Sequence, residues 1–299
     1  MQIQLSEEEL EDIHLQTRKM ALQFSSTHRV GGVQFGERRS VYADQGLEFR
    51  EMRDYEPGDD VTQIDFTASE AEGKLLVVKR TEPREMRSLI IFDLSKSMFL
   101  HKKAETAYAA ASMIIFSAIN QEIPTGLWGR AGGFEVSKRP RGGRAQRRQV
   151  INLLKDALMD PRQVPKRILT LEQWRRSLPE GSFVFIISDF LGENSFFMKL
   201  LENKYSKYRI VPIVVQSELE YTFPDIGVGR ITLPIMEVGS GNIQYKTLTR
   251  KDCARIRAEN EKRFAKLKEI FKSNKNLRWA HIPNFDLEEI RQEIQKTIR

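Results

Sequence analysis

The chain has 299 residues, 40% hydrophobic and 30% charged, and its 48 lysines and arginines outnumber 41 aspartates and glutamates. This hydrophobic share excludes a disordered chain, and a single cysteine, Cys253, excludes a disulfide framework and a multi-cysteine metal site. The net charge of +7 favours acidic partners, among them nucleic acid. Because the first residues lack a signal-peptide pattern, we expect a soluble, cytoplasmic, globular protein.

Residues 1–86 form a predicted leading segment. A capping box at Ser6–Glu9 predicts a helix that ends near Ser25–Ser26, and short β-like runs with a turn at Glu56–Asp60 follow. The segment is too small and too broken for a core of its own. We therefore expect it to pack on the domain that follows.

Residues 87–299 are predicted to form an α/β domain. The continuous apolar runs at 88–92 and 183–187 indicate strands buried on both faces, and amphipathic helices alternate with the strands. This pattern predicts a doubly wound, mostly parallel sheet with helices on both faces, interrupted by an insertion at 217–249 with a hairpin turn at 239–242. The predicted helices span residues 104–118, 146–158, 169–178, 196–203, 250–272 and 286–298.

Two of the predicted strands end in aspartate, at the sheet edge where such folds bind ligands. Asp93, Ser95 and Ser97 alternate along the turn after the first buried strand, and Asp189 follows the second. Carboxylate and hydroxyl oxygens suit a hard cation such as Mg²⁺. The pattern predicts a divalent metal site, although aspartate and serine are also ordinary residues before a helix, and that alternative stays open.

Catalytic motifs have less support in the sequence. No histidine has an evident place beside Ser95 or Ser97, as a serine hydrolase requires, and no glycine-rich phosphate-binding motif occurs. Hydrolysis by a metal-activated water at Asp93 and Asp189 lacks an evident general base. The sequence therefore favours binding over catalysis.

The Asp93-Leu-Ser95-Lys-Ser97 motif resembles the metal-ion-dependent adhesion site of von Willebrand factor A domains. Together with Arg53-Asp-Tyr-Glu-Pro-Gly-Asp-Asp60 and Ile64-Asp65, it resembles the family called domain of unknown function fifty-eight, whose members carry such a domain. The resemblance implies a non-enzymatic adaptor or assembly factor that works with a MoxR-type AAA+ ATPase. It also implies that a partner's acidic side chain completes the metal shell.

The resemblance fails at the second metal loop, where a threonine is usual. The matching stretch 138–144 has no threonine or serine but carries Arg139, Arg141 and Arg144, which we interpret as a partner-binding patch beside the site. Arg141 or Arg144 would then pair with Asp93 or Asp189 in place of the cation. The alternatives are that the longer basic patch 138–148 is an ordinary solvated face, or that it binds nucleic acid or an anionic surface.

A second acidic cluster lies in the leading segment. Asp59, Asp60 and Asp65 have the close spacing of a Ca²⁺ site, but a tight turn with aspartates bonded to the local backbone explains them as well. We interpret them as structural and expect Arg53, Asp59 and Asp65 to form a buried ion-pair network.

Overall fold

The computed structural model describes residues 5–24, 49–80, 86–131, 134–160, 178–191, 207–223, 229–236, 243–273 and 277–298. Its contacts divide the chain into two compact units, residues 1–26 with 86–299, and residues 27–85. The elements in chain order are α1 (Glu7–Thr17), β1 (Phe49–Asp54), α2 (Phe66–Glu72), β2 (Leu76–Arg80), β3 (Ser88–Asp93), α3 (Lys103–Asn120), β4 (Thr125–Ala131), β5 (Phe134–Arg141), α4 (Arg144–Met159), β6 (Phe183–Ser188), β7 (Arg209–Val215), α5 (Glu218–Tyr221), β8 (Arg230–Met236), β9 (Ile243–Thr249), α6 (Arg250–Ser273), β10 (Ala280–Ile282) and α7 (Leu287–Ile298).

The larger unit is built on a six-stranded sheet in the order β10-β7-β6-β3-β4-β5. All neighbouring strands are parallel except β4 and β5, which pair antiparallel. The predicted mostly parallel α/β sheet is thereby confirmed. Since β3 and β6 are direct neighbours, their carboxyl ends meet at one edge of the sheet.

Both faces of the sheet are buried. Alternate residues of β3 point to opposite sides: Ile90 and Phe92 belong to the core that includes α1, α3, α4 and α7, whereas Leu89 and Ile91 face the core that includes α6. Every residue of β3 and of β6 is buried. This double burial explains why both strands appear in the sequence as unbroken apolar runs.

The helix boundaries follow capping signals. Ser6 and Glu9 form the predicted capping box of α1, Thr249 and Asp252 bond reciprocally at the start of α6, and Asp286 accepts two amide hydrogens at the start of α7. The prediction that α1 continues to Ser25–Ser26 is wrong, since the helix ends at Thr17. After Thr17 the chain is no longer helical. Leu22 is buried, and its amide donates a 2.8 Å hydrogen bond to the Ser117 hydroxyl.

The insertion contains α5 and the antiparallel strands β8 and β9. The predicted hairpin turn at 239–242, the predicted helix at 196–203, and all but the last residue of the predicted helix at 169–178 lie outside the described residues. None of the described helices is long and apolar enough to span a membrane.

The described part of the smaller unit (residues 27–85) contains β1 paired antiparallel with β2, a 3-10 turn at Val61–Gln63 and α2. Gly73 ends α2 in the left-handed conformation, with φ of 67°. The contacts group α1 with the larger unit, whereas the predicted division of the chain falls between residues 86 and 87. That residues 27–85 pack on the core stays a prediction.

Candidate functional site at the carboxyl edge of the sheet

Two buried aspartates mark the carboxyl edge of the central strands. β3 ends at Asp93, β6 ends at Ser188, and Phe92 lies opposite Ile187 in the parallel register, so Asp189 follows at the same edge. Asp93 is 3% and Asp189 4% exposed. Buried carboxylates require hydrogen-bond or charged partners, and the two residues have different ones.

Asp93 is held by hydrogen bonds from two elements. Its Oδ1 accepts from the Ser95 amide at 2.8 Å, and its Oδ2 accepts from the Ser188 hydroxyl at 2.6 Å. Burial, followed by the negative charge of Asp189, raises the pKa of Asp93 to about 6, although these hydrogen bonds act in the opposite direction. Among the described residues, the groups that contact Asp93 therefore do not offset the cost of burying its negative charge.

The predicted serines gather beside this carboxylate. The Oγ atoms of Ser95 and Ser97 lie 3.0 Å apart, and Ser95 precedes a 3-10 turn at Lys96–Phe99 without using its hydroxyl as a cap. Two oxygens bound at right angles to Mg²⁺, each about 2.1 Å from the ion, are about 3.0 Å apart. The Asp93, Ser95 and Ser97 side chains thus fit the hard-oxygen ligand set of a divalent cation.

Asp189 has a charged partner, Lys103, which the sequence did not predict. The Nζ of Lys103 lies 2.9 Å from Asp189 Oδ2 and 2.5 Å from Glu220 Oε1. Lys103 is only 2% exposed, so this ammonium group is a buried cation between two carboxylates. One oxygen of the Asp189 carboxylate is thus already paired with a buried positive charge. Among the described residues, no three histidine, cysteine, aspartate or glutamate side chains form a metal-binding group.

Glu220 reaches the site from the insertion. It lies in α5, and its Oε2 accepts from the Ser217 amide at 3.0 Å. From α6, Asn260 donates to the Leu219 carbonyl at 2.8 Å and Arg263 to the Glu220 carbonyl at 2.6 Å. These bonds to α6 hold α5 in the position in which the Glu220 carboxylate contacts Lys103.

Backbone strain is concentrated in the loops at this edge. Four non-glycine residues there have positive φ: His101 at 56°, Lys102 at 58°, Phe190 at 50° and Phe223 at 77°. Such conformations are unfavourable for L-amino acids and persist where surrounding contacts impose them, often at functional sites. The strain is consistent with loops shaped to hold the site.

The arginines at 139–144 lie at the other end of the sheet, and the prediction that they flank the site is wrong. Arg141 pairs with Thr125 and Thr125 with Ser88, at the start of β3, whereas Asp93 is level with Arg130. Five residues of strand separate the two levels, about 16 Å. Arg144 follows Arg141 by a short turn. Pairing of Arg141 or Arg144 with Asp93 or Asp189 is therefore excluded, and the partner-binding role of Arg139, Arg141 and Arg144 stays a prediction.

In the smaller unit, the acidic residues bond the local backbone. Asp60 accepts from the Thr62 amide at 2.9 Å, and Asp65 accepts from the Ala68 amide at 3.0 Å as the cap of α2. Arg53 contacts Asp59 at 2.5 Å, with side chains 40% and 19% exposed. The predicted buried network of Arg53, Asp59 and Asp65 is wrong in two respects, because the Arg53–Asp59 pair is partly exposed and Asp65 caps a helix instead of joining it.

Comparisons with known proteins agree with the sequence resemblance. Residues 51–263 match the family model described as "Protein of unknown function DUF58". The chain is 24% identical over 230 residues to uncharacterized proteins of Mycobacterium bovis and Mycobacterium tuberculosis, covering 73% of this chain and 70% of theirs.

Two solved structures are also similar to parts of the chain. One is a von Willebrand factor type A protein from Catenulispora acidiphila, with 11% identity, a TM-score of 0.36, and coverage of 75% of this chain and 44% of that one. The other is the ArnB paralog VWA2 from Sulfolobus acidocaldarius, with 13% identity, a TM-score of 0.26, and coverage of 48% and 39%. The chain thus spans less than half of each solved chain.

Proposed function

We propose that this chain, which belongs to the family of proteins of unknown function DUF58, is a non-enzymatic protein-binding module. Its site at the carboxyl edge of the sheet binds a divalent cation, with Mg²⁺ the first candidate, and an acidic side chain of a partner protein. The observation that carries the proposal is the buried Asp93 carboxylate beside the Ser95 and Ser97 hydroxyls, whose 3.0 Å separation suits neighbouring ligands of Mg²⁺.

The charge balance at Asp93 supports a cation. Within the described part of the chain, the Ser95 amide and the Ser188 hydroxyl donate to the buried Asp93 carboxylate, and both donors are neutral. A charge buried in this way is costly, and a divalent ion at the adjacent hydroxyls would compensate it. With one protein carboxylate in its shell, the ion would retain a positive charge. An aspartate or glutamate from a partner would neutralise that charge, which makes recognition depend on both the metal and one acidic residue.

The arrangement supports binding more than catalysis. The Ser95 and Ser97 hydroxyls contact each other, and within the described part of the chain no hydrogen bond joins either of them to a histidine. A serine nucleophile requires such a base within hydrogen-bond reach. From the family resemblance, we propose a MoxR-type AAA+ ATPase as the partner, with its client protein as a further one.

Calorimetry with Mg²⁺ tests the cation site. Wild type and Glu259→Gln, which removes an exposed carboxylate on α6, should release the same heat, whereas Asp93→Asn should release none. Asparagine keeps the size and hydrogen-bonding oxygen of aspartate but not its charge. The metal site would be contradicted if wild type showed no heat of Mg²⁺ binding, or if Asp93→Asn showed the same heat as wild type.

Binding of a purified MoxR-type ATPase to the immobilised full chain tests the partner. We expect capture in Mg²⁺, loss in EDTA and loss with Asp93→Asn, while Glu259→Gln still captures. Capture that is unchanged by EDTA and by Asp93→Asn would contradict recognition through this site. Metal binding without any capture would reject this partner class.

A second candidate function is binding of nucleic acid through the basic patch 138–148, which contains Lys138, Arg139, Arg141, Arg144, Arg147 and Arg148. Arg144 and Arg148 lie in the first turns of α4, where the helix dipole disfavours positive charge and no acidic residue is present. Binding to DNA or RNA should weaken steeply with salt and be lost in the Arg141→Glu, Arg144→Glu double variant. Binding that survives both charge reversals would reject this function.

A further inference from the structure

We propose that Lys103 is a built-in cation that holds Asp189 outside the metal shell, so that the site binds its divalent ion through the Asp93 loop alone. This inference rests on the proposed function, since it concerns the same site. It differs from the sequence prediction, in which Asp189 supplies a second metal-binding carboxylate. It also gives the insertion a role, because Glu220 helps to fix the lysine.

The contacts of Lys103 carry the inference. Its Nζ lies 2.9 Å from Asp189 Oδ2 and 2.5 Å from Glu220 Oε1, and its side chain is 2% exposed. The other Asp189 carboxylate oxygen, Oδ1, accepts from the Leu191 amide at 3.2 Å, and the Asp189 carbonyl accepts from Gln216 at 2.5 Å. The Asp93 and Asp189 carboxylates both accept hydrogen bonds on both oxygens, but among the described residues the donors to Asp93 are neutral, whereas Asp189 is paired with the Lys103 ammonium.

Lys103 cannot leave Asp189 without a large cost. A buried ammonium needs compensating charge, and separating a buried pair leaves each partner charged and unpaired. Glu220 strengthens the constraint because α5, which carries it, is tied to α6 by Asn260 and Arg263. Rotation of Lys103 toward solvent would break contacts to two elements at once.

The consequence for metal binding follows from like charges. An ammonium and a divalent cation that share a buried carboxylate repel each other strongly where the effective dielectric constant is low. Lys103 therefore lowers the affinity of the site for metal and leaves a bound ion with only one protein carboxylate. A partner's acidic side chain then becomes the group that neutralises the ion.

Calorimetry with Mg²⁺ on Lys103→Met tests the inference. Methionine keeps the apolar stem and removes the charge, so we expect the Kd for metal to fall about tenfold or more. Lys102→Met is the matched control: it removes the same charge one residue away from an exposed side chain, and its Kd should stay within about threefold of wild type. An unchanged Kd in Lys103→Met, or an equal fall in Lys102→Met, would overturn the inference.

Asp189→Asn provides a second measurement that does not need Lys103→Met to fold. If Asp189 is not a metal ligand, the variant should bind Mg²⁺ within about tenfold of wild type, whereas Asp93→Asn should lose binding. Equal losses in the two variants would overturn the inference and leave the proposed function standing. Metal binding by Lys103→Met but not by wild type would support the inference and contradict the metal site of the proposed function. If neither wild type nor Lys103→Met bound Mg²⁺, both the inference and the proposed metal site would be rejected.

Discussion

The Ser188 hydroxyl donates a 2.6 Å hydrogen bond to Asp93 Oδ2 and also accepts the Phe190 amide at 3.1 Å. One side chain at the end of β6 thus satisfies the buried carboxylate at the end of β3 and the strained backbone after Asp189. This contact therefore joins the two strand ends that form the site. Hydrogen bonds to charged groups contribute more to stability than those between neutral groups, so we expect its loss to be measurable.

Ser188→Ala is expected to lower the free energy of unfolding by about 1.5–3 kcal/mol, because it leaves a buried carboxylate oxygen and a buried amide without this partner. Urea denaturation measures the effect. Ser273→Ala is the control, since its exposed hydroxyl donates to the Ile270 carbonyl at the end of α6, and its effect should stay within about 0.5 kcal/mol. Equal stabilities of Ser188→Ala and wild type would show that the contact contributes little.

Gly126→Ala is expected to destabilise the protein by about 1–3 kcal/mol through overpacking. A Cβ at this position would lie 2.7 Å from the Lys138 carbonyl oxygen and 2.8 Å from the Pro140 nitrogen, so β4 and β5 would have to separate at their irregular pairing. Thermal or urea unfolding measures the loss.

Gly142→Ala is the matched control for Gly126. No heavy atom lies within 4 Å of its added Cβ, and we expect a change within about 0.5 kcal/mol. If both alanine variants unfolded like wild type, the close approach of the two strands at Gly126 would be contradicted.

Ser117→Ala should release the segment that follows α1. The Ser117 hydroxyl accepts the amide of the buried residue Leu22 at 2.8 Å, and a buried amide without a partner costs about 1–3 kcal/mol. Hydrogen exchange at Leu22 should accelerate, while amides in the middle of α3 should keep their wild-type rates. Unchanged exchange at Leu22 would contradict this anchoring role.

The parts of the fold and site that the sequence predicted are those set by local pattern. The apolar runs of β3 and β6 and the capping residues Ser6, Thr249 and Asp286 depend on neighbours in the chain, and the structure confirms them. The juxtaposition of Asp93 and Asp189 followed from one rule, that parallel strands present their carboxyl ends at the same edge.

The missed features depend on contacts between distant parts of the chain. Lys103 is 86 residues from Asp189 and 117 from Glu220, and a lysine that opens a helix ordinarily reaches solvent. Its signal in the sequence was its position directly before the alanine-rich apolar face of α3. The predicted position of Arg141 is wrong because β5 runs antiparallel to β4. The carboxyl end of β5, where Arg141 lies, is therefore next to the amino ends of β4 and β3, at the edge of the sheet opposite Asp93.

His281 should make stability fall as the pH decreases. Its ring lies 4.7 Å from the rings of both Tyr221 and Phe264, and burial, followed by the positive charge of Lys268, lowers its pKa to about 4, although Glu293 acts in the opposite direction. The unfolded state, with an ordinary histidine pKa near 6.5, binds the proton more readily than the folded state. The free energy of unfolding should therefore decline from pH 6.5 to pH 4, by up to about 3 kcal/mol from this residue.

The pH dependence of His281→Phe separates this contribution from those of the other titrating groups. The variant keeps an aromatic ring in the cluster but has no proton to bind, so the difference in stability between wild type and variant should change with pH between 6.5 and 4 and be constant above pH 7. Proton NMR of the wild-type imidazole should also show a neutral ring at pH 5. A titration midpoint near 6.5 would contradict the burial of His281, because it would mean that the charged ring is as well solvated in the folded protein as in the unfolded chain.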